Sequence, residues 1–171
     1  EWRRLEAGDA QIIRAGNGIS HAEFMAKDSS MFQIWMDPDL SKTINQAASY
    51  NDYKSSDLPI FEDGDIRVRT YVGDNSIFRM DTQGVEIQRL EFEKASYTKT
   101  ISQDKVYSIY VLEGNVKINE KEANLDDFVI LSDTDEIKIE SENGGTLFMI
   151  ASPKKLDYMT YAEIMQSRMR Q

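Results

Sequence analysis

Between Ile77 and Ala151 the chain is a ladder of short strand-like runs with turn residues between them. The runs predict strands at Ile77–Met80, Val85–Phe92, Ala95–Ile101, Val106–Glu113, Asn115–Ile118, Glu122–Leu125, Phe128–Leu131, Glu136–Glu140 and Thr146–Ala151. Between them lie Glu113-Gly114-Asn115, Asp126-Asp127, Ser132-Asp133-Thr134-Asp135 and Asn143-Gly144-Gly145. Gly, Asn and Asp suit turns because they tolerate positive φ or bond their own backbone. No helical pattern separates these strands. A doubly wound sheet is therefore excluded, and an all-β sandwich or closed barrel is expected.

The flanks of the ladder are also readable. Ile66–Val72 sets Ile66, Val68 and Thr70 against Arg67, Arg69 and Tyr71, the alternation of a half-buried strand. Pro153 follows the last strand. Thr160-Tyr161-Ala162-Glu163 is a capping box, and Tyr161, Ile164, Met165 and Met169 recur at helical spacing. These predict a short C-terminal helix whose apolar stripe lies on the barrel or on a partner.

Before the ladder, Leu5–Asp9 is a turn, Ala10–Ile13 a strand and Ala15–Gly18 a second tight turn. Ile19–Phe24 and Met31–Met36 are read as strands around a polar loop at Lys27–Ser30, Asp37–Asp57 as a linker, and Pro59–Asp65 as a turn. Ile19–Phe24 carries the one histidine of the chain, His21, and a carboxylate two residues on, Glu23. On a strand, residues i and i+2 share a face, so an imidazole and a carboxylate would project side by side. That pair suits iron, manganese or zinc. Two donors do not close a site, and a lone His beside a Glu is more often simply solvated.

Composition narrows the classes. In 171 residues there are 20 Lys and Arg against 30 Asp and Glu, a formal charge of −10, with the basic residues scattered. Direct nucleic-acid binding is disfavoured, since no basic stripe is present to meet phosphates. The absence of Cys excludes disulfides, thiolate metal sites and thiol catalysis. No run approaches a membrane span and no signal peptide is visible, so a cytoplasmic location is expected. The chain begins Glu1-Trp2-Arg3-Arg4 without Met, in mid-domain, which suggests truncation or proteolysis.

Gly8-Asp9, followed by Gly16-Asn17-Gly18-Ile19-Ser20-His21-Ala22-Glu23, resembles the metal-site motif of the pirin family, a set of two-domain cupins. Phe32-Gln33-Ile34-Trp35 is similar to the strand that follows it in that family. Tyr110–Gly114 and Leu125–Leu131 resemble the strand, turn and next strand shared by many cupins. The resemblance implies an all-β jelly-roll: residues 1–37 as the last strands of an N-terminal metal-binding cupin, and 38–75 as a linker and crossover strand. Residues 76–152 would be a complete metal-free C-terminal cupin, and 153–171 a helical tail.

In pirins, four ligands hold one divalent metal, usually iron. His21 and Glu23 match two of them, and Glu23 also matches a group that would accept a substrate hydroxyl proton. The other two, on an earlier His-x-His strand, have no counterpart in this sequence. Little or no metal binding by the chain alone is therefore expected. Counting back from Gly114, the metal-binding Glu of other cupins falls on Tyr107, the His region on Thr100 and Ser102, and the later His on Ile137–Lys138. The resemblance thus implies a C-terminal barrel without metal, its interior filled by packed side chains.

Several roles follow from the family. One is a quercetin 2,3-dioxygenase-type oxygenase acting on a flavonol, with this chain alone inactive. Another is an iron-responsive cofactor that binds a protein partner in transcription, through carboxylates concentrated in Glu113–Glu142. A third is a structural scaffold that forms homodimers by strand pairing. A cupin outside the pirins, such as an isomerase or a small-ligand binder, is a further alternative.

Overall fold

Alternation becomes a strand only where a neighbour completes the hydrogen-bond ladder, and the ladder region meets that condition almost throughout. The computed structural model describes residues 2–78 and 80–170. Its strands are β1 (Ala10–Arg14), β2 (Ser49–Tyr53), β3 (Ile60–Asp63), β4 (Ile66–Val72), β5 (Glu86–Phe92) and β6 (Ala95–Thr100). They continue with β7 (Lys105–Gly114), β8 (Val116–Ile118), β9 (Lys121–Ala123), β10 (Phe128–Leu131), β11 (Glu136–Ser141) and β12 (Gly145–Pro153). Two short helices, α1 (Leu40–Thr43) and α2 (Tyr161–Met169), complete the elements named here.

The chain divides into two compact units. The first comprises Glu1–Ala10, Tyr53–Arg79 and Gly84–Lys155. It holds a six-stranded sheet in the order β10-β7-β12-β5-β4-β3 and a four-stranded sheet in the order β6-β11-β8-β9. The six-stranded sheet reaches back to Ile60, ahead of the 76–152 range read for the barrel. Inward residues of both sheets form one apolar core. Ile66, Val68, Ile109, Val111 and Leu147 come from the larger sheet, and Val116, Ile118, Ile137 and Ile139 from the smaller. All are essentially inaccessible to water. Each such aliphatic side chain contributes about 1.5–3 kcal/mol of transfer free energy, which makes this the main source of stability in the unit.

One close approach fixes a corner of the sandwich. Gly114 ends β7 at φ +82°, and a Cβ there would meet the carbonyl oxygen of Gly144. Only glycine permits that contact and that dihedral together. The β12–β7 register shifts beside it, between Thr146 and Leu147.

The second unit comprises Gln11–Asp52, Met80–Gln83 and Leu156–Gln171, and here the sequence reading needs correction. Neither Ile19–Phe24 nor Met31–Met36 forms a strand. Both carry residues that suit strands, but no described strand pairs with them, and residue type alone satisfies no backbone donor. Conversely, the supposed linker Asp37–Asp57 contains α1 and β2. Asp39 caps α1 by accepting from the Ser41 N–H at 3.2 Å. β2 pairs with β1. It is a polar strand with no alternation to detect, tied by side chains: Gln11 to Asp52 at 2.6 Å and Arg14 to Asn51 at 2.7 Å.

Two further readings change. The supposed turn Pro59–Asp65 contains β3, which folds back on β4 through Gly64 with Asp63 opposite Ile66. In the supposed strand Ile77–Met80, Ile77, Phe78 and Met80 lie outside any strand, and Arg79 lies outside the described residues. Phe78 is nevertheless buried, its ring 4.1 Å from that of Tyr53. α2 forms with its capping box. Its apolar stripe is covered only in part: Ile164 and Met165 are half-buried, while Tyr161 and Met169 are exposed. No helix among the described residues is long and apolar enough to cross a membrane.

Candidate functional site

The glycines and the aspartate of the motif prove to be architectural. Gly8 turns the chain at φ +82° and delivers the Asp9 carboxylate to three donors. These are the backbone N–H of Glu6 at 3.0 Å, that of Ser55 at 2.9 Å and the Lys54 ammonium at 2.7 Å. The hydrogen bond from Lys54 leads, with the two backbone donors behind it, in lowering the Asp9 pKa to about 2. The side chain is only 3% exposed, so Asp9 pins the turn before β1 to the turn after β2. Gly16, at φ +52°, lies against the Gln46 carbonyl, which also accepts from the Asn17 N–H at 2.8 Å.

His21 and Glu23 follow on backbone without regular structure. The imidazole Nε2 lies 3.8 Å from a Glu23 carboxylate oxygen, and the two side chains are 38% and 39% exposed. The donor types suit a divalent metal; the donor number does not. Among the described residues no group of three or more His, Cys, Asp or Glu side chains could hold a metal ion. The pair therefore does not constitute a metal site by itself.

The positions that other cupins use for metal in the C-terminal barrel converge. Thr100, Ser102, Tyr107 and Ile137 all line one cavity of about 240 Å³. The barrel interior is thus packed at one end and open at the other, not filled throughout as expected. The Tyr107 hydroxyl accepts from the Ser102 N–H at 2.9 Å. Lys105 donates to Glu86 at the same cavity. Nearby, Asp63 accepts from the Tyr97 hydroxyl at 2.7 Å and the Lys99 ammonium at 2.9 Å. Lys99 leads in lowering the Asp63 pKa, while burial leads in raising that of Tyr97.

The polar rim was missed from sequence, although its signal is present. On β7 the inward residues run Val111, Ile109, Tyr107, Lys105; on β5 they run Phe92, Leu90, Gln88, Glu86. Both rows turn polar at the same end, because both strands run antiparallel to β12 and hence parallel to one another.

No protein-family model matches the chain. A protein named "putative quercetin 2,3-dioxygenase" from Zymomonas mobilis is 50% identical over 40 residues, 22% of this chain and 17% of that protein. Pirin-1 of Arabidopsis thaliana is 29% identical over 72 residues, 42% of this chain and 25% of Pirin-1. The matches thus span a quarter or less of either relative. The crystal structure of GK1651 from Geobacillus kaustophilus superposes with a TM-score of 0.72 at 17% identity, covering 89% of this chain and 67% of that one. The fold is that of an all-β cupin.

Proposed function

We propose, from the premise of the pirin-type cupin family that these relatives support, that His21 and Glu23 are two donors of a divalent-metal set. In this reading the remaining donors come from outside the described residues. The whole protein is then an oxygenase of the quercetin 2,3-dioxygenase type, and this chain alone is inactive. The observation that carries the reading is the pair itself. The only imidazole of the chain stands beside a carboxylate at 3.8 Å, with both side chains open to further ligands. The identity of the Zymomonas relative lends the reaction class. Iron is the metal expected from the family, and a flavonol the substrate class. In the complete site Glu23 would also accept the substrate hydroxyl proton, a role suited to a carboxylate within reach of that group.

The test is oxygen uptake with quercetin and ferrous iron added to the purified chain. Uptake no faster than with iron alone is expected. Saturable turnover that is lost in His21→Ala would contradict the proposed inactivity.

A second reading rests on a separate observation. Phe24 and Trp35 are 83% and 85% exposed, and Met25, Met31 and Phe32 are exposed too. Apolar surface of this kind favours association, by pairing with a second copy or with a protein partner. Sedimentation across a concentration series checks it: self-association is expected, weakened in a Phe24→Ser, Trp35→Ser double variant.

A further inference from the structure

The cavity of the C-terminal barrel has the build of a ligand site. Its floor is apolar: Val68, Leu90, Ile137, Ile139 and Met149. A dry apolar cavity of about 150 Å³ accepts benzene; this one, at about 240 Å³, has room for a ring and one substituent. A flavonol-sized ligand would not fit, since pockets for drug-sized ligands begin near 300 Å³.

Its polar groups gather at one end and retain bonding capacity. The Lys105 side chain is only 20% exposed and donates to Glu86, whose own side chain is 43% exposed. An ammonium has three donors, and one is engaged among the described residues. Among the described residues the Gln88 amide makes one long hydrogen bond, to Thr70 at 3.4 Å. The Tyr107 hydroxyl accepts from Ser102 and keeps its own proton to donate. Of the two lysines in the lining, Lys99 is paired with Asp63 at 2.9 Å, whereas Lys105 faces Glu86, whose exposed side chain can be displaced.

We propose that this barrel binds a small monocyclic carboxylate. Its ring would lie on the floor formed by Leu90, Ile139 and Met149. Its carboxylate would be held by Lys105, Gln88 and Tyr107, with the exposed Glu86 moving aside. No metal donor and neither His21 nor Glu23 takes part, so the site is independent of the function proposed above.

Sodium benzoate is the probe, and the methyl resonance of Met149 in the whole chain is the readout. Saturable displacement of that resonance is expected, with benzyl alcohol binding at least tenfold more weakly. Lys105→Met should weaken benzoate at least tenfold while leaving benzyl alcohol unaffected. Leu90→Phe, which fills the floor, should abolish both. Met149→Leu, with binding followed by calorimetry, serves as a second route if Leu90→Phe fails to fold, and should still bind benzoate. A Met149 resonance that does not move, equal affinity for the alcohol, or undiminished benzoate binding by Lys105→Met would each overturn the proposal.

Discussion

At the scale of single residues, the motif that draws the eye divides into scaffold and chemistry. Asp9 belongs to the scaffold. Removing its carboxylate in Asp9→Ala deprives two backbone N–H groups and the Lys54 ammonium of this acceptor. Hydrogen bonds to a charged group contribute about 1.5–3 kcal/mol, and a loss of that size in denaturant unfolding is expected. The pH dependence has a definite sign. A carboxyl held at about 2 when folded, against roughly 3.9 when unfolded, stabilises the fold above pH 4. That contribution is lost as the pH falls from about 4 towards 2, and Asp9→Asn should flatten the acid limb of a stability profile. Gly114→Ala should cost more than about 2 kcal/mol, since it adds a backbone clash to an unfavourable positive φ; the midpoint of thermal unfolding reads it. Asp9 was legible as part of a turn, because Gly-Asp is local chemistry. Its partner Ser55 was not, because a contact 46 residues away leaves no mark on local sequence.

At the scale of elements, legibility followed hydrogen-bond partnership. β4, an alternating run, and β10, a continuous apolar one, appear with the bounds read from sequence, because each has a paired neighbour in the large sheet. Ile19–Phe24 was read as a strand as well, yet among the described residues it has no ladder partner and stays irregular. β2 was invisible for the opposite reason: Ser-Tyr-Asn-Asp-Tyr has no apolar face, and its pairing with β1 is fixed by amide, carboxylate and guanidinium groups. The capping box of α2 was readable because it is wholly local. The Thr160 hydroxyl accepts from the Glu163 N–H at 3.3 Å, and the Glu163 carboxylate accepts from the Thr160 N–H at 2.7 Å. Thr160→Ala should destabilise this helix by about 1 kcal/mol, visible as faster amide exchange over Tyr161–Met169 with the barrel strands unchanged.

At the scale of the whole molecule, the barrel unit contains its own core and its own cavity, while the candidate metal donors lie in the other unit. Truncating the core at Ile139, as Ile139→Ala, should cost about 2–5 kcal/mol and lower the unfolding midpoint of the barrel. The candidate site was legible as residue types but not as geometry. Sequence identifies the imidazole and the carboxylate, whereas a coordination shell depends on donors that chain order cannot position. The account rests on His21 and Glu23 being an open pair, chemically suited to a metal but too few to hold one tightly. The direct measurement is titration of the 171-residue chain with Mn²⁺, followed by paramagnetic broadening of the His21 ring resonances. Weak broadening that is removed by Glu23→Ala, with no metal retained after gel filtration, is the predicted result. One equivalent of metal retained through the column, or His21 resonances that never broaden, would contradict it.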